Sequence, residues 1–549
     1  PTLKVVGGWD FVGDAYNPTA GLTTPNPDPD PLDCATVLGE QISGGHGTHV
    51  SGIAAGTGVT SAGSSFDGPY DTTTDLAGFR VAPGVAPRAK LYALKIFGCQ
   101  GSTTLLASAL ERAADPNLDG SFDDRLDVVN ASLGTPYGLS SSVVGEMVKA
   151  LSDVGTLVVA AAGNEGQNFF VTGSPAVFPE VLSVAASVDS NLLTLRVTAP
   201  AAAIAAYPAA EALFTARLTT VGPISAPLIA SVPVLGCEPF TNAAEIAGNI
   251  ALIDRGICPF VDKLANAVNA GAVAAIIVDN EDSLLPFAMT GAAGSSPIPG
   301  FMVTLDAGAA LDADLMQGPV TISLDPTDPY TGPGAELLAG FSSRGPSSID
   351  GRLKPEITAP GVINSAGVGT GTEPVPNGGT SMASPMVAGA AALVRQAHPE
   401  LGPFEVKASL MNASAPLTDF AGAPYGTGII GAGRLDVARA VLSRVSAATD
   451  PTTGEVGVSF GSVIAAESVT LDRSFVVTNR GASAETIDLA TDSTYALPGV
   501  TVTVAPAKLD LAAGQSTSVT LTLSFDPAAL GSPGPDPGTV AIQGMQTPQ

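Results

Sequence analysis

GGTSMASPMVAGAAALV, residues 378–394, sets a serine between a glycine turn and a run of small apolar residues. The run suits a buried helix, and Ser381 stands at its start. The positive end of a helix dipole there stabilises negative charge developing near the serine oxygen. Pro385 reads as lying near the first turn, where a missing backbone donor costs little. A capping serine is the ordinary occupant of such a position. The length of this string favours a nucleophile instead.

A serine hydroxyl is a weak nucleophile and needs a base that titrates near neutrality, usually histidine. The chain has only three histidines. His46 opens HGTHVSG (46–52), where glycines lead into a small-residue helix over 44–56. His49 falls one turn deeper and reads as a buried structural neighbour, while His398, in AHPE, reads as a surface residue. The pair at i, i+3 lacks the glutamate of an HExxH zinc motif. Ser381 is also not in the GxSxG context of an esterase elbow.

Outward from these segments, DVVNA (127–131) and GTLVVAAA (155–162) are short apolar runs of the kind found in buried parallel strands. AKLYALKIF (89–97) reads as a strand, with helices expected near 103–114 and 140–153. This alternation predicts an α/β domain with a parallel sheet. Residues 196–334 change texture and contain their own β-α-β pattern, with GNIALIDRG (248–256), VDKLANAVNAGA (261–272) and AAIIVDN (274–280). The first texture returns after 335, so the segment reads as an insertion. From about 446, stretches such as 468–481 and 515–525 alternate with period two, as in an all-β sandwich. The tail 526–549 is Pro/Gly-rich and reads as a connector.

The 549 residues exceed one hydrophobic core and imply several domains. With 45% hydrophobic residues the chain can bury a large core. A net charge of −28 repels phosphate backbones and anionic membranes, so nucleic acid is excluded as an expected partner. No apolar stretch is long enough to span a bilayer. The four cysteines, Cys34, Cys99, Cys237 and Cys258, lack CxxC spacing and allow three pairings. Disulfides in an oxidising compartment are the simplest reading. DPNLDGSFDD (115–124) begins like an EF-hand loop, but its twelfth position is Leu126, so it reads as a solvated acidic loop.

HGTHVSGIAAG, DVVNASLG, VVAAAGNEG and GTSMASPMVAG occur in the order seen in the subtilase (subtilisin-like) family, which the chain resembles over 1–195 and 335–445. The resemblance implies a parallel-sheet subtilisin-like catalytic domain in which His46 is the base, Ser381 the nucleophile and Asn164 the oxyanion donor. It further implies that Ser132, Leu133 and Gly134 bind the substrate backbone and that Ala161, Ala162 and Gly163 line the specificity pocket. The insertion, 196–334, resembles a protease-associated (PA) domain, and 446–549 resembles a fibronectin III-like β-sandwich. Relatives imply the bridges Cys34–Cys99 and Cys237–Cys258. Expected from all this is an extracellular serine endopeptidase acting on proteins or peptides, with no cofactor in the chemistry and room for structural calcium. A non-catalytic binding or adhesion protein on the same scaffold is the competing reading.

One family feature has no match. The third catalytic residue is an Asp at the end of a core strand that precedes the His motif. Asp10 and Asp14 lie in VVGGWDFVGD, which resembles the segment after that motif, and Val188-Asp189-Ser190 comes in the wrong order. The expected acid therefore lies upstream of Pro1, and the 549 residues alone are expected to be poorly active.

Overall fold

Every side chain of the strand Leu157–Ala161 is buried, as a strand covered on both faces requires. It pairs in parallel with Val128–Ala131 on one side and Leu182–Asp189 on the other. Ile357–Pro360 continues the sheet, parallel to Leu182–Asp189. The computed structural model describes residues 3–34, 45–74, 79–99, 102–138, 143–283, 285–290, 294, 296–450, 452–461, 463, 465–491 and 498–530. Positions 139–142 of the expected second helix and 531–549 of the expected connector lie outside them. The other anticipated helices and strands of this domain are present as Leu91–Lys95, Leu106–Ala114 and Val143–Asp153.

The helix Thr380–Ala397 runs through the core, with Val387, Ala390, Ala391 and Val394 fully buried among residues of the parallel strands. Its small side chains serve close packing. A Cβ on Gly389 would lie 2.8 Å from the Ala54 carbonyl oxygen, which belongs to the helix His46–Ala55. That near-contact packs the middle of one helix against the last turn of the other. Gly45, in the left-handed region at φ 91°, turns the chain into His46.

A second pair of parallel strands, Val5–Asp10 and Leu91–Lys95, forms a sheet of its own. Among the described residues, Leu91–Lys95 pairs only with Val5–Asp10, and Val128–Ala131 only with Leu157–Ala161. Two strand edges are thus left without ladder partners, an arrangement that central strands of a domain rarely keep.

Residues Asp189–Leu337, with Thr418–Ala423, form a separate unit. Seven strands close into a barrel there, beginning at Leu193–Ala199 and ending at Val320–Pro329. Its parallel pair Ile250–Asp254 and Ala274–Val278 is joined by the helix Phe260–Asn269, and Cys237 is bonded to Cys258. At the C-terminal end of the chain, Val445–Ala448, Val469–Asn479, Ser516–Phe525 and Val500–Ala505 form one antiparallel sheet. Glu485–Asp488 pairs with Lys508–Leu511. Period-two alternation sends Val519, Leu521 and Leu523 into a core shared with Leu509 and Leu511. Among the described residues no helix is long and apolar enough to cross a membrane.

Candidate active site

Three distant segments meet at one cavity of about 2130 Å³. His46, Asn164, Ser381 and the backbone segment Ser132–Gly134 all line it. The cavity continues between the two unpartnered strand edges, and every residue of Leu91–Lys95 and of Val128–Ala131 lies on its wall.

Ser381 is the second residue of its helix. Its hydroxyl donates to the Ser132 carbonyl at 3.2 Å. The helix then corrects the expectation for Pro385. That residue is the sixth of the helix, beyond the first turn, so its missing N–H deprives the carbonyl four residues back of its helical partner. That carbonyl belongs to Ser381. The Ser132 hydroxyl donates to it instead, at 2.7 Å. Ser132 Oγ in turn accepts from Asn130 Nδ2 at 2.9 Å, and Asn130 Oδ1 accepts from Ser384 Oγ at 2.7 Å. A polar chain Ser384–Asn130–Ser132–Ser381 therefore ties the helix start to the strand Val128–Ala131.

Asn164 follows the strand Leu157–Ala161. Its Oδ1 accepts from Thr380 N and Thr380 Oγ1, both at 2.9 Å. That pairing leaves Nδ2 as the free end of the carboxamide. A Cβ placed on Gly379 would stand 3.4 Å from Asn164 Nδ2 and 3.6 Å from the backbone nitrogen of Ser381. Asn164 Oδ1 lies 3.6 Å from the same point, so the carboxamide packs against the glycine that opens the serine helix. Ala161 and Ala162 are buried at the strand end, and Gly163 N–H donates to Thr380 Oγ1 at 3.3 Å.

Burial pushes the His46 imidazole below its ordinary value. The Asp33 charge opposes that shift, and His49 adds to it. Among the described residues no carboxylate is hydrogen-bonded to the His46 ring. His49 is buried, as expected, and its Nε2 donates to the Val375 carbonyl at 2.9 Å. Ser365 Oγ donates to the His49 carbonyl at 2.9 Å. Val375 and Ser365 belong to the hairpin that leads into Gly379, so His49 links the histidine helix to the serine segment. His398 is half-buried rather than a free surface residue, because its Nε2 donates to the Val441 carbonyl at 2.7 Å.

The sequence reading did not single out Asn130, Ser384, Thr380 or Asp33. Asn130 and Ser384 sit inside quoted motifs, but only the fold brings their side chains together. Cys34 is bonded to Cys99. Among the described residues, Asp14 is the one further metal-type ligand grouped with that pair, and the disulfide already engages both sulfurs. In the loop 115–124, Asp115, Asn117 and Asp119 turn side-chain oxygens onto backbone N–H groups of the same loop.

The chain therefore contains a parallel α/β domain that brings a serine, a histidine and a carboxamide to one cavity. It belongs to the subtilase family, whose profile matches residues 38–440, more than half of the sequence. The minor extracellular protease Vpr of Bacillus subtilis (strain 168) is 29% identical over 442 residues, covering 79% of this chain and 48% of that protein. Subtilisin-like protease SBT1.4 of Arabidopsis thaliana is 30% identical over 441 residues, 72% of this chain and 51% of the relative. A solved structure, the psychrophilic subtilisin-like protease Apa1 from the Antarctic psychrotroph Pseudoalteromonas sp. AS-11, is 20% identical with a TM-score of 0.33. It covers 72% of this chain and 83% of its own. The chain spans about half the length of these two curated relatives.

Proposed function

We propose that the protein is an extracellular serine endopeptidase working through an acyl-enzyme. Ser381 Oγ attacks the peptide carbonyl carbon while His46 takes the hydroxyl proton. Asn164 Nδ2 and the Ser381 backbone N–H hold the tetrahedral oxyanion. Collapse expels the amine, which leaves with the proton from His46, and water then cleaves the serine ester by the same steps in reverse. Ser132, Leu133 and Gly134 offer backbone partners to the substrate, with Ala161, Ala162 and Gly163 about its specificity pocket. The barrel unit is read as a PA domain governing substrate access, and the C-terminal sheets as a fibronectin III-like sandwich.

The observation that carries this reading is the convergence of His46, Asn164 and Ser381 on a single cavity. The unpartnered edges of Leu91–Lys95 and Val128–Ala131 support one refinement. A parallel, largely apolar strand between them would complete the sheet, and an acid at its end would serve His46. The segment expected before Pro1 is the proposed source. The names of the relatives, an extracellular protease among them, support secretion and protein substrates.

The test is fluorophosphonate labelling of the natural full-length protein beside its Ser381→Ala variant. Labelling that depends on Ser381 supports the proposal. Equal labelling of both, or none, favours the non-catalytic binding protein.

A further inference from the structure

The helix His46–Ala55 begins with a capping position, Gly45, that has no side chain. Its first N–H groups need an acceptor from elsewhere. Asp33 supplies it across twelve positions of sequence. Asp33 Oδ1 accepts from Gly45 N at 3.0 Å and from Cys34 N at 2.9 Å. Asp33 Oδ2 accepts from Thr48 N at 2.8 Å and Thr48 Oγ1 at 2.9 Å. Gly47 leaves room for this, since a Cβ there would already stand 3.4 Å from Asp33 Oδ2. The carboxylate grips the helix on both sides of His46 in sequence.

Asp33 is itself fixed from behind. Its neighbour Cys34 is buried and bonded to Cys99. Cys99 lies just beyond the strand Leu91–Lys95, and its N–H donates to the Asp14 carbonyl at 2.9 Å. The bridge therefore ties the capping carboxylate to a sheet strand.

We infer that Asp33 is a positioning residue for His46: it caps the helix that His46 opens, its charge acts on the ring, and the Cys34–Cys99 bridge holds it there. The inference rests on the reading of His46 as the general base. Among the described residues, the charged groups acting on His46 are Asp33, which favours the imidazolium, and His49, which opposes it. Removing the Asp33 charge therefore lowers the His46 titration midpoint. A role confined to helix capping would not move it.

The experiment is an NMR titration of the three imidazoles in the 549-residue chain, assigned with His46→Gln, His49→Asn and His398→Gln variants. Asp33→Asn keeps an oxygen to accept N–H bonds but removes the charge. It is expected to lower the His46 midpoint by about 0.5 to 1 pH unit, leaving His398 unmoved. Asp33→Ala is expected to give the same shift and, in the natural full-length protein, a plateau fluorophosphonate labelling rate reduced about tenfold. Cys34→Ser/Cys99→Ser keeps the charge but frees it to move, so its shift should fall between wild type and Asp33→Asn. A folded Asp33→Asn chain, by far-UV circular dichroism, whose His46 midpoint stays within about 0.2 of wild type would overturn the inference. Should Asp33→Ala fail to fold, Asp33→Asn decides. If the natural full-length protein shows no Ser381-dependent labelling, the protease reading fails, while the titration still judges Asp33.

Discussion

Ser132→Ala in two backgrounds tests how the serine is held. In wild type, Pro385 cannot donate to the Ser381 carbonyl, and Ser132 Oγ does so at 2.7 Å. Truncating Ser132 removes that bond and also strands Asn130 Nδ2. Each lost bond is worth about 1 kcal/mol, more where the orphaned group is shut off from water. Asn130 is half-buried, so a total loss of about 2 kcal/mol is expected. In a Pro385→Ala background, residue 385 gains an N–H four residues beyond the Ser381 carbonyl and can take over as its donor. Ser132→Ala should then destabilise by only about 1 kcal/mol, leaving a coupling of about 1 kcal/mol between the two positions. Urea unfolding of the four variants measures this. The fluorophosphonate rate should follow, falling about fivefold for Ser132→Ala alone and less in the Pro385→Ala background. Equal losses in both backgrounds, within about 0.3 kcal/mol, would refute the idea that Ser132 stands in for the missing helix bond.

The buried cluster Lys354–Glu356–Lys407 offers a second test, as both lysine side chains are fully buried and each lies within 2.9 Å of Glu356. Burial holds Lys354 at about 7, against 10.5 when exposed, while Glu356 pulls it upward. Loss of that pull in Glu356→Gln depresses the folded-state value further, so the unfolded chain binds the extra protons and stability falls as pH falls. The variant should lose on the order of 3 kcal/mol at pH 5 and distinctly less at pH 8, measured by urea unfolding. For the base, burial depresses His46, so in the 549-residue chain its imidazole, followed by NMR, should titrate below the ordinary histidine value of about 6.5. A midpoint above that value in this chain would contradict the burial argument. In the barrel unit, Cys237→Ser/Cys258→Ser opens a closure with sequence separation 21. It should destabilise that unit by about 3 kcal/mol in calorimetry, with little change at the parallel domain.

Much of the fold was legible because its signals are local. Five buried side chains in a row at Leu157–Ala161 and period-two alternation at Ser516–Phe525 follow directly from the faces those strands cover. The helix Thr380–Ala397 was legible from its small residues, and the motifs holding His46, Asn164 and Ser381 line one cavity. Pro385 was misread although the helix start was placed to within one residue: counted from that start, it already stands beyond the first four N–H groups, so its missing N–H matters. The chain Ser384–Asn130–Ser132–Ser381 was invisible, as its members are up to 254 positions apart. Asp33 escaped for a similar reason. Its partners lie in the first turn of a helix twelve and fifteen positions later, whereas a capping residue is sought next to the helix it caps.

The most direct measurement is acyl trapping. The full-length protein is incubated with an activated peptide ester, quenched in acid and mapped by mass spectrometry. The account predicts one acyl group on Ser381, absent in Ser381→Ala, and formed about 10² to 10³ times more slowly in Asn164→Ala. An adduct on another residue, or a rate indifferent to Asn164, would contradict it.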